Sequence, residues 1–207
     1  MFSKCEVNHY FPTCVWVHEI ANHPAINDQL ERELHGLRAA GKGHGGTERA
    51  WRSDGDLHQL EGFRPLTQIL VAASKGVLDF LKCRYQGFDI TNCWANINRR
   101  GEAHHLHSHP NNFLSGVYYV RAPEGCGDIV FHDPRQQAIV LLPAVAEYTP
   151  FNSSRQRVAP KAGTLLVFPS WFQHLVEENT SDAERISISF NVMLRGSVGQ
   201  QSGGANF

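Results

Sequence analysis

The spacing of apolar and polar residues changes character near residue 88. Before that point the repeat is helical. Leu30, Leu34 and Leu37 recur at i, i+4 and i+7, one face of a helix that Asn27-Asp28 would cap and Gly41 would stop. A longer stripe, Leu66, Ile69, Leu70, Ala73, Val77, Phe80 and Leu81, follows Pro65. Proline suits a first helical turn because the N–H it lacks would have no partner there. Between the two helices, 41–62 is a glycine-rich polar connection centred on Gly43-His44-Gly45-Gly46. Ahead of both, Phe11–His18 alternates after its proline and reads as an edge strand.

After Asp89 the runs are short, β-prone and broken by Pro and Gly. They are Ile90–Ile97, Leu114–Arg121, Ile129–His132, Ala138–Leu142, Arg155–Val158, Thr164–Phe168, His174–Glu177 and Ile186–Leu194. Such spacing predicts a β-sandwich or barrel. The tail Gly196–Phe207, rich in Gly, Ser, Gln and Asn, is expected to be disordered. The expectation is a single α+β, mainly β domain over 1–195. A helical layer (about 25–86) packs on one sheet of a β core (about 88–195).

Composition narrows the function. With 19 Lys+Arg against 20 Asp+Glu, the chain has no basic stripe for a phosphate backbone or an anionic membrane surface, so nucleic acid is an unexpected partner. No apolar segment reaches the ~20 residues of a membrane helix. Five cysteines, an odd number with no CxxC pair and no secretory leader ahead of them, predict free thiols in a reduced cytoplasmic setting. The surplus is histidine, 12 of 207 residues.

Four of those histidines fall in Gly101-Glu-Ala-His104-His105-Leu-His107-Ser-His109-Pro110. In an extended segment residues two apart share a face, so His107 and His109 can converge on one point, and His105 has the same parity. His104 and His105 are expected beside a metal rather than on it. A third imidazole, His174, follows the apolar run Thr164–Phe168 and the turn Pro169-Ser170. Three imidazoles suit Fe, Zn or Cu better than Mg or Ca. Eleven residues further on, Arg185, Ser187 and Ser189 share one strand face and Ile186, Ile188 and Phe190 the other. An arginine facing into a barrel needs a partner, and a carboxylate matches its planar fork.

Trp94-Ala-Asn96-Ile-Asn98, His107-Ser-His109-Pro110, Ser115-Gly-Val-Tyr118-Tyr119-Val120, Phe168-Pro-Ser170 with His174, and Arg185-Ile-Ser187-Ile-Ser189-Phe190-Asn191 together resemble a bacterial group of 2-oxoglutarate/Fe(II) oxygenases distantly similar to prolyl hydroxylases. The resemblance runs from about Phe11 to Asn191. It implies a double-stranded β-helix (jelly-roll) core and hydroxylation of a substrate, with 2-oxoglutarate leaving as succinate and CO2. It also implies His107 and His174 as Fe(II) ligands, and Arg185, supported by Ser187, on the distal carboxylate of 2-oxoglutarate. Tyr118 or Tyr119, with Tyr118 preferred, and Asn96 are further cosubstrate contacts.

The broader superfamily places an acid where this chain has His109. Three readings follow: His109 ligates the metal, which is favoured; water or an anion takes its place; or Asp128 or Asp133 reaches in. Trp94, Trp171 and Phe172 are candidates for a dry wall. Rival readings are a cupin-type dioxygenase or isomerase, and a non-catalytic β-sandwich binding protein. The cupin reading lacks the expected Glu after the histidine pair. The substrate, small molecule or peptide, and the oligomeric state are not written in the sequence. The 41–62 connection and the 123–127 and 143–155 loops are candidate lids.

Overall fold

A computed structural model describes residues 1–45, 50–135, 137, 140–141, 143–198 and 205–206. Its first strand, β1 (Trp16–Glu19), is followed by helix α1 (His23–Ala39), a short strand β2 (Ala50–Arg52) and helix α2 (Arg64–Phe80). Then come β3 (Gly87–Asn98), β4 (His104–His107), β5 (Leu114–Arg121), β6 (Ile129–His132), β7 (Arg155–Val158), β8 (Thr164–Pro169), β9 (His174–Val176) and β10 (Arg185–Arg195). The strands form a six-stranded sheet, β1-β8-β5-β10-β3-β2, and a four-stranded sheet, β4-β9-β6-β7, with antiparallel pairing throughout both. In outline this is the expected mainly β chain with few helices. β1 does lie at an edge, paired only with β8.

Period-2 alternation sorts the large sheet into two faces. Leu114, Tyr118 and Val120 of β5, Leu165 and Val167 of β8, and Ile186, Ile188 and Phe190 of β10 share one buried cluster with Leu30, Leu34, Leu66, Leu70 and Val77. The opposite face gives Val117, Tyr119, Leu166 and Phe168 to a second cluster with Ile129 and Phe131 of β6 and with Phe172. The second cluster thus joins the two sheets. Beyond its apolar end, the polar face of β10 opens into a cavity.

The structure corrects several expectations. α1 begins at His23, not after Asn27, because Pro24 occupies its first turn. Asn27 is instead buried in the helix, where its Nδ2 donates to the Val120 carbonyl at 2.7 Å. In α2 the buried stripe ends with Val77 and Leu78, and Phe80 and Leu81 are exposed at the helix end. Gly41 does end α1's neighbourhood, with φ +69°. In the tail, Ser197–Val198 pairs with Ala205–Asn206 (β11 and β12), and residues 199–204 and 207 lie outside the described ones. Of the run Ala138–Leu142, three residues lie outside the described ones, and Val140 and Leu141 are exposed and outside any strand.

Candidate metal centre

β4 and β9 are antiparallel neighbours with His107 directly opposite His174. His109 lies just beyond β4, its backbone N–H donating to the Ser170 carbonyl at 2.9 Å, so the turn after β8 fixes where that ring sits. The three ring centroids are 4.4 Å (His107–His174), 5.0 Å (His107–His109) and 5.3 Å (His109–His174) apart. One ring nitrogen of each lies within 4.8 Å of the other two, a spacing that small ring rotations close around an ion.

The tautomers suit a metal. His107 Nδ1 lies 2.7 Å from the His105 carbonyl and His174 Nδ1 lies 2.9 Å from the Phe172 carbonyl. A carbonyl only accepts, so in both rings Nδ1 carries the proton and donates, which leaves the Nε2 lone pair free. Such anchoring through the second nitrogen is the usual support of a metal-bound histidine. His174 and His109 are also held neutral. Burial pushes His174 down to about 3 and, with the nearby charge of Arg52, His109 to about 4.

The three imidazoles line a cavity of about 270 Å³ whose walls contain no carboxylate among the described residues. Two arginines line it instead, Arg52 and Arg185, together with Asn96, Ser187, Tyr119 and Trp94. Arg185 is 1% exposed. Its Nη1 donates to the carbonyls of Cys126 and Glu177, and its Nη2 to Asn98 Oδ1 at 3.3 Å. Three of the five guanidinium N–H groups are thereby used, and Nε–H and one Nη2–H remain as a fork. No carboxylate lies within 4 Å of that fork among the described residues. Burial lowers its pKa, yet an arginine stays charged. A buried cation of this kind is costly until an anion arrives.

Most sequence-predicted residues therefore converge: His107, His109, His174, Arg185, Ser187 and Asn96 all face one space. Tyr118 does not. It points to the helical side, where its hydroxyl donates to Asn27 Oδ1 at 2.6 Å, and the neighbouring Tyr119 lines the cavity instead. Consecutive residues of a strand face opposite ways, and β5 is buried on both faces from Leu114 to Val120, so its sequence carries no alternation to say which tyrosine faces the cavity.

Of His104 and His105, both expected beside the metal, only His104 lines the cavity. A β-irregularity between His104 and His107 turns His104 into the cavity wall, 3.3 Å from Asn98 Oδ1, and leaves His105 exposed. Burial, then the charge of Arg185, holds His104 down to about 4. Asn98 links the two sides, since its Oδ1 meets both His104 and Arg185 and its Nδ2 donates to Glu102 at 3.0 Å. Neither Asp128 nor Asp133 lines the cavity, and Asp133 is held by Arg135 at 2.7 and 2.9 Å. Trp94 does form part of the wall, 5.9 Å from the His109 ring, Phe172 belongs to the inter-sheet cluster, and Trp171 is exposed. Arg52 escaped the sequence reading because β2 is three residues long and follows the glycine-rich connection.

Residues 92–191 match the model of a protein family described as "Putative 2OG-Fe(II) oxygenase". Among solved structures, a Pseudomonas putida prolyl-4-hydroxylase superposes with a TM-score of 0.62 at 17% identity, covering 88% of this chain and 94% of its own. An oxidoreductase of the 2OG-Fe(II) oxygenase family from Burkholderia pseudomallei gives 0.54 at 16% identity, covering 84% and 90%. HygX from Streptomyces hygroscopicus, solved with nickel, 2-oxoglutarate and hygromycin B bound, gives 0.59 at 12% identity, covering 88% and 83%. At such identities the likeness is one of fold. No curated protein matches the chain by sequence.

Proposed function

We propose, from the match of residues 92–191 to the oxygenase family model, that the chain is a 2-oxoglutarate/Fe(II) oxygenase in which His107, His109 and His174 hold the iron and Arg185 holds the cosubstrate while a separate substrate is hydroxylated. The observation that carries this reading is the meeting, in one cavity, of three imidazoles with a buried guanidinium that has no carboxylate partner among the described residues. Both halves fit the missing groups. The imidazoles offer nitrogen donors of the kind Fe(II) accepts. The Nε/Nη2 fork of Arg185 matches the two oxygens of a carboxylate.

When bound, Fe(II) and 2-oxoglutarate would supply, with dioxygen, an oxidant for a C–H bond: one oxygen atom would enter the succinate formed as CO2 leaves, and the other the hydroxylated substrate. The chain itself supplies binding, orientation and exclusion of water. The carbonyls of His105 and Phe172 lock the tautomers of His107 and His174, so their Nε2 atoms are ligands without a prior proton transfer. Arg185, fixed by three acceptors, holds the far carboxylate in one register, and Ser187 adds a hydroxyl on the same strand face. Asn96 supplies an amide opposite Ser187, and the Tyr119 hydroxyl takes the contact first assigned to Tyr118. Burial raises the Tyr119 pKa, which keeps that hydroxyl protonated and able to donate. Val117, Ile129 and Phe168 form an apolar wall on the inner side.

In the same reading the two sheets are the halves of a jelly roll within one domain over 1–195, with α1 and α2 on the outer face of the six-stranded sheet. The shared burial of Leu34, Leu70 and Val77 with Ile186 and Phe190 supports this. Five free cysteines are in keeping with a cytoplasmic setting, and among the described residues no helix is long and apolar enough to cross a membrane. The test is turnover. Tag-free protein given Fe(II), 2-oxoglutarate and oxygen is expected to form one succinate per keto acid consumed. No Fe(II)-dependent loss of 2-oxoglutarate would overturn the reading.

A further inference from the structure

The cavity has more positive charge than one keto diacid uses. Arg185 stands at one end. The second guanidinium, that of Arg52, lies 4.6 Å above the ring of Trp94. The register separates the two. Arg52 is opposite Asn96 on β3 and Ser187 is opposite Asn96 on the other side, so Arg52, Asn96 and Ser187 form one row across three strands. Strand spacing puts the Cα atoms of Arg52 and Ser187 about 10 Å apart. Arg185 belongs to the next row, opposite Asn98, and the Arg52 head leans the other way along the sheet, towards Trp94 and the His109 ring beside it. One arginine therefore lies on the Asn98 side of the imidazoles and one on the His109 side.

Arg52 is also firmly placed. Its backbone N–H donates to the His44 carbonyl at 2.9 Å, and its carbonyl accepts from the His44 N–H at 2.7 Å. Gly43, at φ +94°, makes that close approach, since a Cβ there would lie 2.5 Å from the Arg52 carbonyl oxygen. Next to it, Trp51 is buried and its Nε1 donates to the Lys42 carbonyl at 3.0 Å. The Lys42-Gly43-His44 segment thus acts as a clamp that presents Arg52 to the cavity. Asp54, the nearest acid along the chain, faces His44 at 3.2 Å. No carboxylate lies within 4 Å of Arg52 among the described residues.

We infer that Arg52, stacked on Trp94 at the His109 side of the cavity, anchors an anionic group of the primary substrate, a carboxylate or a phosphate. This rests on the oxygenase reading and adds to it a specificity-determining residue and a substrate class. A guanidinium over an indole, on an exposed residue, is pre-organised, so little side-chain freedom is lost when oxygens arrive. The acid-free wall favours an anion over a neutral or cationic substrate.

The test uses the full chain loaded with Mn(II) and then 2-oxoglutarate, both followed by calorimetry. Isobutyrate, inorganic phosphate and neutral isobutyramide are titrated next. Isobutyrate or phosphate is expected to saturate and isobutyramide not to, and whichever anion binds more tightly names the source of the charge. Arg52→Ala is expected to weaken that anion by about 10- to 100-fold, with Arg52→Lys between the two and 2-oxoglutarate affinity unchanged. Anion binding that is equal in wild type and Arg52→Ala overturns the inference. So does a loss of 2-oxoglutarate affinity matching the loss of anion affinity, or no anion binding up to about 50 mM. Failure of 2-oxoglutarate to bind in the first step overturns the oxygenase reading instead, so the two failures are distinct.

Discussion

Replacing Arg185 by methionine removes the charge and keeps most of the stem. Two opposed effects on folding follow. The acceptors on Cys126, Glu177 and Asn98 lose their donor, at about 1–3 kcal/mol for each that stays dry. Against this, a guanidinium that is 1% exposed and faces no carboxylate among the described residues no longer has to be desolvated, a relief of several kcal/mol. The stability of the metal-free protein should therefore move by no more than about 2 kcal/mol in either direction.

Binding of 2-oxoglutarate has no such compensation. Breaking a buried, forked pair costs about 3–5 kcal/mol, or roughly 10²- to a few 10³-fold in affinity. Arg185→Lys keeps the charge without the fork and should lose about tenfold. Calorimetric titration of 2-oxoglutarate into Mn(II)-loaded wild type and variants reads the effect, with Mn(II) affinity measured separately. A 2-oxoglutarate affinity within about threefold of wild type would refute the role given to Arg185. Equal losses of metal and cosubstrate would mark it as a folding residue only.

Further expectations concern the imidazoles and one glycine. His107→Ala or His174→Ala should each lower metal affinity by more than the 10- to 100-fold typical of outer contacts, read by metal analysis after dialysis; unchanged content in both would remove the site. His109→Asp should keep the metal but weaken 2-oxoglutarate, because a carboxylate reduces the positive charge the cosubstrate meets, and tighter cosubstrate binding would contradict this. His104, His109 and His174 are held at about 4, 4 and 3 in the fold, below the ~6.5 of an unfolded chain. As pH falls through 6.5 the unfolded state takes up protons the folded state refuses, so stability is retained above pH ~6.5 and declines towards pH ~4. The urea midpoint of metal-free protein should drop between pH 7 and pH 5, and a flat profile would contradict the burial argument. Gly116→Ala should destabilise by about 1–3 kcal/mol or more, measured by the same denaturation, since the new Cβ would sit 2.4 Å from Phe190 and 2.6 Å from the Leu166 carbonyl oxygen.

What the sequence made legible was the alternation of β10. Arg185 and Ser187 face the cavity and Ile186, Ile188 and Phe190 the helical side, as period 2 requires. The convergence of His107, His109 and His174 was legible too, because His residues at that density before a strand have few structural uses. Parity failed wherever a ladder is irregular. The irregularity in β4 put His104 rather than His105 on the cavity wall, and β5, buried on both faces, gave no alternation to tell Tyr119 from Tyr118. Such irregularities depend on the partner strand, which local sequence does not name. Arg52 was hidden for a related reason, since only pairing with β3 brings a three-residue strand to the cavity.

The most direct measurement is the anomalous diffraction of crystals grown with Fe(II) under nitrogen, collected at the iron edge. The account predicts one peak about 2.0–2.2 Å from the Nε2 atoms of His107, His109 and His174. A peak held through other residues, or by His107 and His174 with His109 turned away, would contradict the three-histidine centre.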